Sequence, residues 1–182
     1  MKALQIAAHG GPEAMRLVDV PVPQPGAGEV LVRIRAASVN PIDWKMRNGV
    51  MRAVFPFPLP RILGRDFAGI VEAVGAAVTD LEPGVRVFGA GDLMRDGTHA
   101  EFAVVSRAAL ARTPEGLADD GASTISVSGV SALISLAEIA GLGPGQRVLI
   151  HAGAGGVGTF AVQIARQLGA EVLATAGPQN LD

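Results

Sequence analysis

The run "VLIHAGAGGVGTFAVQIARQLGAEVLATAG", Val148 to Gly177, constrains this chain more than any other stretch. An apolar segment (Val148–His151) leads through a glycine loop into a second segment (Gly156–Leu168) and then another apolar run (Glu171–Ala176). In the middle segment Val157, Phe160, Ala161, Ile164, Ala165 and Leu168 recur at helical spacing, while Gln163, Arg166 and Gln167 fall on the other face. Strand, helix and strand with a small apolar stripe predict a right-handed βαβ unit. The loop reads Gly153-Ala154-Gly155-Gly156-Val157-Gly158, a GxGxxG pattern. Such a pattern is weak alone, but here it follows a strand and opens a helix, as a dinucleotide fingerprint requires. Gly153 and Gly155 would let the backbone approach a pyrophosphate. N–H groups at the helix start, with Ala154, Gly156 and Val157 around them, would bind its oxygens. Gly158 would let helix and strand pack closely. The competing reading is a tight turn with no ligand. No lysine follows the glycines, which excludes a P-loop.

A site of this design usually ends its second strand with an acid that holds the adenosine ribose. Here that place reads Ala174-Thr175-Ala176-Gly177. A carboxylate would repel the 2′-phosphate of NADP, so its replacement by Thr175 and Gly177 favours NADP(H). The phosphate still wants a cation, and Arg166, on the outer helix face, is the only basic residue after Arg147. Gln179 and Asn180 can donate hydrogen bonds but carry no charge.

Before this unit the grammar is different. "EVLVRIRAASV" alternates Val30, Val32 and Ile34 with Leu31, Arg33 and Arg35, the period of a half-buried strand. "DFAGIVEAVG", "RVFGAG" and "HAEFAVVS" repeat the pattern, predicting a small antiparallel sheet or barrel. One helical turn is expected at "NPIDWKMRNG", with Asn40 as N-cap, Pro41 in the first position and Gly49 as terminator. "VFPFPLPRILG" reads as extended loop, and "DDGASTISVSGVSALISLAEIAGLG" as one or two helices. The 182 residues exceed one average domain and fall short of two. A net charge of 15 − 17 = −2 gives no case for nucleic acid or an anionic membrane as partner. With no cysteine there is no disulfide or thiolate chemistry, and the absence of a signal-like or membrane-length apolar run predicts a cytoplasmic protein.

"MKALQIAAHGGPEAMRLVDVPVPQPGAGEVLVRIRAASVNPIDWKMRNG", "RILGRDFAGIVEAVG", "GTHAEFAVV" and "VLIHAGAGGVG" occur in this order and spacing. Together they resemble the medium-chain dehydrogenase/reductase superfamily, in its zinc-independent quinone oxidoreductase (zeta-crystallin-like) and enone reductase branch. The resemblance implies an α/β architecture. A GroES-like antiparallel β-barrel domain, expected over residues 1–122, precedes a Rossmann domain that residues 123–182 leave incomplete. It implies NADPH as cofactor, a small quinone or enone substrate, and members that are often homodimers. Asn40 stands where the zinc enzymes place a catalytic Cys and Arg65 where they place His, so no metal and no zinc are expected. By family position Asn40 and Lys45 are the candidate catalytic donors to a developing enolate or quinol oxygen. Asn40 reads equally well as a helix cap and Lys45 as a solvated side chain. "DWK" in place of the Tyr common in quinone reductases leans toward enones. Ser131 matches a threonine beside the nicotinamide, with an ordinary mid-helix serine as the other reading. Only one βαβ unit is present where a mononucleotide half needs three strands. A truncated, catalytically silent cofactor-binding or structural fragment is therefore the alternative.

Overall fold

Alternating apolar residues in the first part of the chain pair almost wholly antiparallel. A computed structural model describes residues 1–180. Strand β1 (Lys2–Ile6) lies between β2 (Met15–Asp19) and the two-residue β4 (Arg61–Ile62), which interrupts the expected proline-rich loop. β3 (Glu29–Ala37), β5 (Asp66–Val74), β6 (Arg86–Ala90), β7 (Phe102–Ser106) and β8 (Leu110–Arg112) form a five-stranded sheet in the order β7-β3-β5-β6-β8. Val30, Val32, Phe67, Val71, Val87 and Val105 fill its core. The simple two-face reading of β3 fails at Leu31, which is buried like its neighbours. The register against β5 shifts between Leu31 and Val32 and again before Ala36. Irregularities of that kind turn successive side chains away from strict alternation.

The chain divides into two compact units, the first Met1–Ser126 and the second from Val127 onward. The expected boundary at 122/123 lies four residues before this division, and on both the first unit includes the short helix α2 (Asp119–Ala122). It packs on β3 and β5, and Arg86 reaches Asp119 Oδ1 and the Leu117 carbonyl, both at 2.6 Å.

In the second unit α3 (Ser126–Leu133) continues into a π-helical stretch, Ile134–Ile139. Then follow β9 (Arg147–Ile150), α4 (Gly156–Gln167) and β10 (Glu171–Ala174). β9 and β10 pair in parallel, Val148 opposite Val172. Ala161 and Ala165 on α4 pack with Ile150 and Leu136, so the small stripe lets helix and sheet approach closely.

Helix α1 (Pro41–Arg47) sits in the first unit with Met46 packed against Ile6 and Leu63. Asn40 is its extended N-cap, and the Asp43 carboxylate accepts the Asn40 N–H at 2.7 Å. Asp43 is buried, and burial is what holds its carboxyl above the ordinary value of 3.8; the Asp66 carboxylate adds to this. The Asn40 N–H, His99 and Arg65 act in the opposite sense without reversing it. An acid whose pKa rises on folding binds its proton more tightly in the native state, so stability falls as pH rises through the window between 3.8 and the folded value. Asp43→Asn keeps an oxygen that can accept the Asn40 N–H but removes the titration. Urea unfolding at a series of pH values should show the parent losing stability across that window relative to the variant. Parallel pH profiles would show that Asp43 does not titrate as its burial implies.

Candidate active site

The turn from β9 into α4 is built by residues that have no room for side chains. A Cβ on Gly158 would overlap the Ala152 carbonyl oxygen and come within 2.8 Å of Gly153 Cα. A Cβ on Gly153 would lie 2.8 Å from Ala174 Cβ on the neighbouring strand. Both glycines are therefore required by the packing of the loop itself. Gly155 differs: an added Cβ would meet only the Ala152 oxygen, at 3.2 Å, and Ala154 to Val157 are exposed. The Gly155 N–H bonds to Ala152 O at 2.9 Å, and Thr159 N–H makes the first α4 bond, to Gly155 O at 2.9 Å. The N–H groups of Gly156, Val157 and Gly158 lie before that bond, at the positive end of the helix dipole. An exposed loop with glycine where a ligand backbone approach is needed fits the pyrophosphate of a dinucleotide.

Ala152 holds the loop in a left-handed conformation, φ 56°, which costs a non-glycine residue about 1–2 kcal/mol. Thr175 helps to hold it there. Its Oγ1 accepts the Ala152 N–H at 3.2 Å and lies 3.2 Å from His151 Nδ1, while its carbonyl accepts the Gly153 N–H at 2.8 Å. The Thr175 hydroxyl is thus a clamp on the loop. Gly177 follows at the strand end, where a Cβ would meet only the movable Gln179 side chain, at 2.9 Å or more. Ser131 is exposed and gives its hydroxyl to Val127 O one turn back, at 2.6 Å.

In the first unit the other candidates share a polar cluster. Asn40, Asp43 and Asp66 are all nine-tenths buried or more. Asn40 Nδ2 donates to Asp66 Oδ2 at 3.0 Å and to Ser38 Oγ at 3.2 Å, and Ser38 Oγ donates to the same Asp66 oxygen at 3.2 Å. An ionised carboxylate only accepts, which sets the amide with its nitrogen toward Asp66. Both Asn40 amide hydrogens are consequently engaged. Lys45 is half-buried, with Nζ 5.7 Å from the Trp44 ring centroid. Burial lowers the Arg65 pKa against the pull of Asp92, Asp43 and Asp66, and its Nη1 is buried with no hydrogen-bond partner.

Sequence reasoning missed Ser38 and the Thr175 clamp. Neither has a local signal: each depends on a partner far along the chain. It also missed that Asp66 accepts from Asn40, which sits 26 residues earlier.

Residues 26–115 match the alcohol dehydrogenase GroES-like domain family. The chloroplastic quinone-oxidoreductase QR1 of Triphysaria versicolor is 36% identical across the whole chain, which spans 57% of that relative. The mycobacterial Rv1454c solved with NADPH superposes with a TM-score of 0.87 at 35% identity, over 98% of this chain and 54% of the other. The CurK enoyl reductase superposes with a TM-score of 0.90 at 30% identity, over 98% and 55%. With a GroES-like sheet followed by a glycine-loop βαβ unit, the chain belongs to the medium-chain dehydrogenase/reductase superfamily as a quinone-oxidoreductase-like member spanning just over half the length of these relatives.

Proposed function

We propose that the protein to which this chain belongs is an NADPH-dependent reductase of quinones or α,β-unsaturated carbonyls that works without zinc. The observation that carries this reading is the exposed Gly155–Val157 loop at the start of α4, open to an anion where Gly153 and Gly158 are closed by packing. The relatives' names support the redox chemistry and the nicotinamide cofactor. Bound there, the reduced nicotinamide would supply the hydride.

The chain's own residues would do the rest. The N–H groups of the exposed Gly156 and Val157 would hold the pyrophosphate. Thr175 would act indirectly, by fixing the loop through the Ala152 N–H. Gly177, lacking a carboxylate, would admit the 2′-phosphate. Asn40, with both amide hydrogens engaged, is best read as a positioning residue that joins α1 to β5. That leaves Lys45 as the donor toward a developing oxyanion. Independence from zinc rests on donor chemistry. The chain has no thiolate, the Asn40 nitrogen faces Asp66, and the Arg65 guanidinium remains cationic. A second reading, a cofactor-binding module without catalysis of its own, is favoured by the single parallel pair β10-β9 among the described residues. Turnover of a quinone or enone by this chain would exclude it.

Two glycines separate binding from folding. Gly155→Val should weaken NADPH binding at least tenfold while leaving thermal unfolding little changed. Gly158→Val, whose side chain would overlap backbone, should lower the unfolding temperature by several degrees. Unaltered NADPH affinity in folded Gly155→Val would reduce the loop to a turn. Cofactor choice gives a further test. Gly177→Asp would place a carboxylate against the 2′-phosphate; charges about 4 Å apart repel by about 4 kcal/mol at an effective dielectric near 20. After screening, a third of that still shifts the NADPH-to-NADH preference about tenfold toward NADH. A parent that prefers NADH, or a variant whose preference does not move, contradicts the reading.

A further inference from the structure

A 2′-phosphate beside Gly177 needs a positive charge to meet it, and the second unit has few to give. From Val127 onward its bases are Arg147, His151 and Arg166. Two of them stand away from the glycine loop. Arg147 opens β9, four residues before His151, or about 13 Å at the rise of a strand. Its Nε lies 4.0 Å from Glu171 Oε2. Arg166 is in the last turn of α4, ten residues past Gly156, or about 15 Å along the helix. Its carbonyl accepts the Gly169 N–H at 3.0 Å, in the turn that leads into β10. His151 stands at the other end, where β9 meets the loop, and it is exposed. Its Nδ1 is 3.2 Å from Thr175 Oγ1, on the residue that follows β10. Gly177 lies two residues further, within about 7 Å of chain. With Nδ1 at Thr175, Nε2 is the ring nitrogen left to a ligand. From Val148 to Phe160 and from Val172 to Asn180 the sequence has no acid, and His151 is the one base. Gln179, whose side chain lies against Gly177, is a neutral amide.

We propose that His151 is the residue that recognises the 2′-phosphate of NADPH, its Nε2–H donating to a phosphate oxygen while Nδ1 stays at Thr175. The inference rests on the NADPH reading and adds to it the source of the positive charge. An imidazole can be cationic at neutral pH, and a neighbouring anion favours that form. A hydrogen bond between an ionised donor and a phosphate is roughly twice as strong as a neutral one. NADH, with a hydroxyl in place of the phosphate, would gain little from it, so His151 would set the choice between the two cofactors.

Adenosine 2′,5′-bisphosphate and 5′-AMP differ by the 2′-phosphate alone, and their binding needs no hydride chemistry to report it. Titrated into the full chain and followed by calorimetry, the bisphosphate should bind the parent about tenfold more tightly than 5′-AMP. His151→Asn keeps an amide that can meet Thr175 Oγ1 but carries no charge. It should remove most of that tenfold preference and leave the affinity for 5′-AMP unchanged. His151→Lys, which returns a cation at the same exposed position, should restore most of the preference. Three results overturn the inference and leave the NADPH reading standing. The preference could persist in His151→Asn. His151→Asn could instead weaken both nucleotides alike, which would make His151 a support of the loop through Thr175. His151→Lys could also show no more preference than His151→Asn. A parent that binds the two nucleotides equally, or binds neither, overturns the inference and the NADPH reading together.

Discussion

The second unit depends on the absence of a side chain at Gly158. Its α-carbon lies so close to the Ala152 carbonyl and to Gly153 that even a methyl group would overlap backbone. From that approach follows the angle at which α4 leaves the loop and packs Ala161 and Ala165 on the sheet. Beside it, the first-turn residues Gly156 and Val157 stay exposed. Ala152 adopts its left-handed conformation to make the turn, and Thr175 from the next strand secures it. The packing of α4 and the exposure of its first turn are thus one arrangement seen from its two sides.

The first unit solves a different problem, that of burying charge. Asp43 and Asp66 lie within the same interior as Asn40, and neither carboxylate could remain there without donors. Asp66 receives Ser38 and Asn40; Asp43 receives the backbone of Asn40 and feels Arg65 and His99. Asp92, Asp43 and Asp66 all act on the Arg65 guanidinium. The cation that offsets these carboxylates is then part of the chain itself.

Much of this was legible in the sequence because the signals were local. Gly and Pro punctuation, the Asn40-Pro41 start of α1, the period of α4 and the glycine loop all act within a few residues. Helix α4 ends at Gln167, one residue short of the expected Leu168, and β10 ends at Ala174, two short of Ala176. These ends are set by capping and pairing partners rather than by hydrophobicity. The hydrogen bonds that define the candidate site were not legible. Asn40 reads as a helix cap or a substrate donor with equal ease until Asp66 is seen across from it. Thr175 reads only as a residue that carries no charge against a 2′-phosphate; that its hydroxyl also accepts the Ala152 N–H is visible only in the fold.

The central claim is that the α4 start is an anion cradle for a dinucleotide. Amide chemical shifts followed while NADP⁺ is added to the ¹⁵N-labelled chain test it directly. The account predicts saturable shifts concentrated at Ala154 to Gly158 and at Thr175 to Gly177. Saturable binding whose shifts fall elsewhere, or no shift at Gly156, Val157 and Gly158, would contradict it.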